Sequence, residues 1–145
     1  MKPSETVDYN IKSCWHAIYR MYNNEAAKYG STTTVGFVLL NIDLDEGTPA
    51  TKIAPLLGME ARSLTRTLKN LEENGLIKRM ADKSDRRLVR IFLTPLGKEK
   101  REIARKSVKN FNAEIQKSIS KDKLETFFEV INEINKTAEN LKSLV

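Results

Sequence analysis

The apolar residues of this chain change period at Gly75, and that change limits its fold more than any other feature. Before it, Leu64, Leu68 and Leu71 recur at intervals of four and three, one stripe of an α-helix. Beyond it, Val89, Ile91 and Leu93 alternate with Arg90 and Phe92, the interval of two that a half-buried strand needs. The spacing predicts a helix over 61–74 stopped by Gly75, a short strand opening at Leu76–Ile77, and a second strand over 89–93. The polar segment Ala81–Arg87 between them has the composition of a hairpin loop. Upstream, Thr51 can cap a short helix, Lys52–Leu57, which Gly58 ends. Pro55 falls at the fourth position of that helix and removes a backbone donor, for no reason the sequence reveals.

Helical spacing fills both flanks. Ile11, Cys14, Trp15, Ile18, Tyr22 and Ala26 make one stripe of a first helix ahead of Gly30. Ser31–Thr34 supplies caps for a second, with Val35, Val38, Leu39 and Ile42 inside and Asp45–Glu46–Gly47 as its break. Thr94–Pro95 starts another, with Ala104, Val108, Phe111 and Ile115 along one side. Lys121–Asp122 marks a break before the last helix, whose stripe is Leu124, Phe127, Phe128, Ile131, Ile134, Ala138, Leu141 and Val145. The fold class that results is mainly α with a small β-hairpin wing. A winged helix-turn-helix lobe over about 31–95 is framed by helical segments at 5–29 and 96–145 of one 145-residue domain. Two long striped helices exceed what so small a lobe covers, and each large apolar side chain left in water forgoes about 1.5–3 kcal/mol. The terminal helices are therefore expected to pair with a second copy of the chain.

Composition removes whole classes of function. Hydrophobic residues make up 40% and charged residues 30%, too apolar a balance for a disordered chain. The longest uncharged apolar stretch, near Gly36–Ile42, falls far short of the roughly 20 residues of a membrane span. The amino end, Met1–Glu5, lacks the apolar region of a signal peptide, so a soluble cytoplasmic protein is expected. Cys14 is the lone cysteine and His16 the lone histidine, too few for an internal disulfide or an ordinary zinc site. No glycine-rich phosphate loop, nucleophile elbow or His-bearing metal motif is present, which argues against an enzyme, a metal or a cofactor. The paired acids Glu72–Glu73, at a helix end, read as solvated charge.

Charge then points to a partner. The net charge is +6, but 16 basic and 7 acidic residues lie between Lys52 and Asn110, and the remainder is acidic. A basic middle suits a polyanion. The helix over 61–74 turns leucines inward and carries Arg62, Ser63, Thr65, Arg66 and Lys69 outward. Such a helix fits the DNA major groove, where Arg pairs with guanine and hydroxyls meet base edges or phosphates. The hairpin tip holds Lys83, Arg86 and Arg87, which suit the adjacent minor groove, and Asp85 is placed to hold Arg87 in one pose. A protein adaptor that meets an acidic partner, or an effector-independent architectural DNA-binding protein, would share this charge pattern.

At these residues the chain resembles the MarR family of bacterial transcriptional regulators. The stretch from Leu57 to Arg79 looks like that family's recognition helix and its entry to the wing. Asp85–Arg86–Arg87, followed by Leu93–Thr94–Pro95–Leu96–Gly97, matches its wing signature, an Asp-x-Arg and a Leu-Thr-x-x-Gly. The resemblance implies a homodimeric repressor on a pseudo-palindromic operator in double-stranded DNA, released by a small aromatic or amphipathic effector. It makes Arg87 the minor-groove arginine, with Asp85 its partner. It also makes Trp15, Tyr19 and Tyr22 candidates to line an effector cleft. One branch of the family senses peroxide through a cysteine near Cys14. That branch has a tyrosine four residues on, where this chain has Ile18, with Tyr19 turned about 100° away. Cys14 is accordingly expected to be a small buried side chain rather than a redox centre. Glu60 stands where the family usually has a small capping residue.

Overall fold

The computed structural model describes residues 1–142. Contacts divide the chain into two compact units, Met1–Ser107 and Val108–Val145.

The first unit opens with a 3-10 turn, Pro3–Glu5, and α1, Val7–Ala27. Next come α2 (Thr33–Leu40), β1 (Thr48–Pro49), α3 (Ala50–Leu57), α4 (Ala61–Glu73), β2 (Ile77–Ala81) and β3 (Val89–Leu93). Helix α5, Pro95–Ser118, begins in this unit. The strands form an antiparallel sheet ordered β1-β3-β2, with Ile77 opposite Leu93 and Ala81 opposite Val89. One core unites them: Val38, Leu39 and Ile42 from the α2 region, Ile53 from α3, the three leucines of α4, and Ile77, Ile91 and Leu93 from the sheet. The leucine stripe and the period-two strand are thus two faces of the same packed interior.

β1 is a strand that the sequence does not announce. It is two residues long and contains a proline, and it pairs Thr48 with Ile91 and Pro49 with Arg90. Pro49 fits because a proline is tolerated at a short sheet edge. It also takes the N-cap of α3, so Thr51 lies inside that helix and is not its cap. With the helix beginning at Ala50, Pro55 is its sixth residue and forgoes the bond that an N–H there would make to Thr51.

Two glycines are required by close approach. Gly47 has φ +68°, and a Cβ there would lie 2.5 Å from the Ile91 carbonyl oxygen. Gly97 packs its Cα against the Leu76 backbone, where a Cβ would collide with the carbonyl. The same junction explains Thr94. Its N–H donates to Leu76 O at 3.1 Å, its hydroxyl donates to Gly75 O, and its oxygen accepts the Gly97 N–H at 3.0 Å. The Leu-Thr-x-x-Gly pattern therefore pins the end of α4 to the start of α5.

The second unit holds the remainder of α5 and helix α6, Lys121–Leu141. Ser120 caps α6 by accepting the Lys123 N–H at 3.3 Å, so the break sits one residue before the expected Lys121–Asp122. Leu124, Ile131 and Ile134 are half-buried, whereas Phe127 and Phe128 remain 52% and 56% exposed. Val145, the expected end of this stripe, lies outside the described residues. None of the described helices is long and apolar enough to cross a membrane.

Candidate nucleic-acid interface

Helix α4 is oriented by burial. Leu64, Leu68 and Leu71 are each at most 4% exposed, which fixes the rotation of the helix and turns Arg62, Arg66 and Lys69 outward. Ser63 and Thr65 flank that outward row. Glu60 occupies the N-cap with no side-chain bond to the helix, which leaves the first backbone N–H groups uncapped by it. At the other end Asn74 caps the helix, and Gly75, at φ +74°, turns the chain into β2.

The two threonine hydroxyls of α4 turn back on the helix. Thr65 Oγ1 donates to Ala61 O at 2.8 Å, and Thr67 Oγ1 donates to Ser63 O at 3.0 Å. A groove of about 550 Å³ runs along one flank, with Glu60, Ser63, Arg66, Thr67 and Asn70 on the helix side and Thr34 of α2 opposite. The other flank borders a hollow of about 490 Å³ against α3. Glu72, expected to be plain solvated charge, instead pairs with Arg79 of β2 at 3.4 Å.

The wing is oriented by carboxylates. Arg87 Nε donates to Asp85 Oδ1 at 3.2 Å, and the Arg87 backbone N–H donates to the same oxygen at 3.0 Å. This is the pair that the sequence predicts. The stronger organiser is Asp82, which lies in the polar segment Ala81–Arg87 and is only 8% exposed. Its Oδ2 accepts the backbone N–H groups of Ser84 and Asp85, each at 3.0 Å, and its Oδ1 accepts Arg90 Nε at 2.8 Å. Arg90 also donates to the carbonyls of Glu46 and Gly47, which ties the wing to the loop before β1. The Arg90 guanidinium, then the Asp85 N–H, hold the Asp82 carboxyl below the usual carboxylate range. The signal for it in the sequence is an Asp three residues before the Asp-x-Arg, with an Arg in the following strand.

Among the described residues no ion pair engages Arg62, Arg66, Lys69, Lys83 or Arg86, whereas Arg79, Arg87, Arg90 and Arg105 are all paired. The first three of these five lie on the outward row of α4 and the other two at the wing tip, and all five are exposed.

The aromatic residues of α1 gather around Phe37 of α2, which no spacing in the sequence singles out. Trp15 and Tyr22 lie 5.9 and 6.0 Å from its ring centroid, and Trp15 meets Tyr19 edge-on at 5.8 Å. Burial raises the Tyr22 phenol above its ordinary pKa. Asn23 is equally silent in the sequence. Its side-chain oxygen accepts both the Thr33 N–H at 2.9 Å and the Thr33 hydroxyl at 2.7 Å, fastening α1 to the start of α2. Cys14 is exposed, contrary to the expected burial, because it lies in the amino-terminal half of α1, where every residue from 7 to 17 is exposed. The described residues contain no group of His, Cys, Asp and Glu that could hold a metal ion.

The profile of the MarR family matches residues 32–89. The regulator TtmR of Methylorubrum extorquens is 36% identical over 83 residues, which are 57% of this chain and 43% of TtmR. The chain thus spans less than half the length of that relative. SarZ of Staphylococcus epidermidis is 29% identical over 128 residues, covering 88% of this chain and 74% of SarZ. Both are named HTH-type transcriptional regulators. The transcriptional repressor CouR bound to a 23-mer DNA duplex is 26% identical, with a TM-score of 0.78 over 91% of this chain and 94% of CouR.

Proposed function

We propose that this chain, whose residues 32–89 match the MarR family, binds double-stranded DNA sequence-specifically as a homodimeric repressor. The observation that supports this most is the gathering of five exposed cations on the outward row of α4 and at the wing tip. Among the described residues, Arg62, Arg66, Lys69, Lys83 and Arg86 enter no ion pair, while Arg87 and Arg90 of the wing are committed to carboxylates. In this reading α4 enters the major groove, with Arg62, Ser63, Thr65, Arg66 and Lys69 toward bases and phosphates. Lys83, Arg86 and Arg87 approach the minor groove, with Asp85 steadying Arg87. Exposed Tyr9, Ile11 and Trp15 on α1, and Phe127, Phe128 and Val130 on α6, favour a second copy as the partner. Two such copies would address the two halves of a pseudo-palindrome, and occupancy would occlude a promoter.

Release follows by linkage. A small aromatic or amphipathic effector seated against Trp15, Tyr19 and Tyr22 weakens DNA binding only as far as it prefers a dimer with wrongly spaced reading helices. Selection of duplexes from a random pool, with affinity then measured by anisotropy at fixed salt, tests the central claim. The expected preference for the enriched site over bulk DNA is about 10³-fold or more. Weak preference with strong length dependence would identify an architectural binder, and no affinity at low salt would remove DNA as the partner. A strictly monomeric chain in sedimentation would refute the dimer.

A further inference from the structure

The two flanks of α4 differ in chemistry. The flank toward Thr34 carries the charged and amide groups, with Glu60, Arg66 and Asn70 beside Met59, Ser63 and Thr67. The flank toward α3 is walled by Ala54, Pro55, Ala61, Leu64 and Leu68, with Thr51 and Arg79 as its polar members. Thr65 stands on this second flank and is exposed. Its hydroxyl hydrogen is already given to Ala61 O at 2.8 Å. A β-branched side chain has few staggered positions, so turning the hydroxyl back along the helix leaves the methyl as the group offered to a ligand.

We infer that Thr65 reads DNA through its methyl group, by contact with the 5-methyl of a thymine on the α3-side flank of α4. The assignment rests on the proposed docking of α4 in the major groove, where the thymine methyl is displayed and where apolar contact with Thr is an established way to read it. On the flank toward Thr34, Thr67 also gives its hydroxyl hydrogen back to the helix, at Ser63 O, but it is half-buried where Thr65 is exposed; beside it Ser63 offers a hydroxyl and no methyl, and Glu60 and Arg66 address exocyclic amines and guanine acceptors. Thr65 is therefore a specificity-determining residue for one A·T pair per half-site, acting without a hydrogen bond to the base.

The probe is the duplex that the wild-type chain enriches from a random pool, with each thymine in turn replaced by deoxyuridine, which lacks only the methyl. At one thymine per half-site the substitution should weaken wild-type binding about fourfold, the worth of one buried methyl-sized group. Thr65→Val keeps a methyl and loses the hydroxyl, and it should retain that sensitivity. Thr65→Ser keeps the hydroxyl and loses the methyl, and it should bind both duplexes alike. Wild-type binding that favours the enriched site yet ignores every deoxyuridine would overturn the inference while leaving the DNA-binding reading intact. Discrimination by Thr65→Ser equal to that of the wild type would overturn it in the same way. Failure to enrich any duplex would overturn both readings together.

Discussion

The reading helix and the wing solve one problem by opposite means. Each must hold cations at a fixed angle in water. In α4 the angle is set by three leucines under the helix, so Arg62, Arg66 and Lys69 need no partner on the surface. In the wing there is little beneath the tip to bury, and the angle is set by Asp82 and Asp85 through backbone N–H groups and guanidiniums. Burial is indifferent to salt and to mild acid, while a carboxylate network is sensitive to both. The helix should therefore be the invariant part of the reader and the wing its adjustable part.

The largest expected effect tests the first half of that contrast. Leu68→Ala removes a side chain 3% exposed from the centre of the core, and such truncations cost about 2–5 kcal/mol. Urea unfolding followed by circular dichroism should report that loss for the unit as a whole. An unchanged midpoint would mean that α4 is not held by its leucines. Arg66→Ala comes next, with stability preserved and DNA affinity lowered by about 1–3 kcal/mol if Arg66 meets a base. Preference should then relax at one base pair, whereas uniform loss over all sequences would make Arg66 a phosphate contact.

The same contrast explains what is legible in advance. Burial writes itself into sequence as a period, so α4, β3 and the core residues Leu64, Ile91 and Leu93 can be read from spacing alone. Hydrogen-bonded anchors have no period. Asp82, Arg90 and Asn23 look like ordinary surface residues until the fold brings Arg90 to Asp82 and Asn23 to Thr33. Asp85 is legible because its partner Arg87 lies only two residues away. β1 escapes because two residues cannot show alternation, and the cap of α3 is misplaced with it.

A smaller effect is expected where the wing loses its organiser. Asp82→Asn keeps an acceptor for the Ser84 and Asp85 N–H groups but gives up the charge that holds Arg90. Operator affinity should fall several-fold, less than for Arg66→Ala, with the melting of the unit little changed. pH supplies an independent check. The folded Asp82 carboxyl titrates below its unfolded value of about 3.9, so its contribution is fully present above that value. It is lost as pH falls through the lower, folded value. The Arg90 Nε–H signal in NMR should thus stay protected at pH 5 and weaken below about pH 4, and Asp82→Asn should abolish that transition. A wing signal that weakened instead between pH 5 and 7 would point to some other titrating group.

The smallest effect separates the two carboxylates of the wing. Arg87 is 91% exposed in its pair with Asp85, and exposed pairs contribute little because water and salt screen them. Its value lies in pre-arranging a side chain that would otherwise sample many rotamers before entering a groove. Arg87→Ala removes the group itself, whereas Asp85→Ala removes only the arrangement and should weaken binding about twofold. Because the pair is screened, the gap between wild type and Asp85→Ala should narrow as salt is raised, while the Arg66→Ala deficit at a base contact persists. A gap that widened with salt would mean that Asp85 repels the phosphates more than it steadies Arg87, and the wing would then owe its orientation to Asp82 alone.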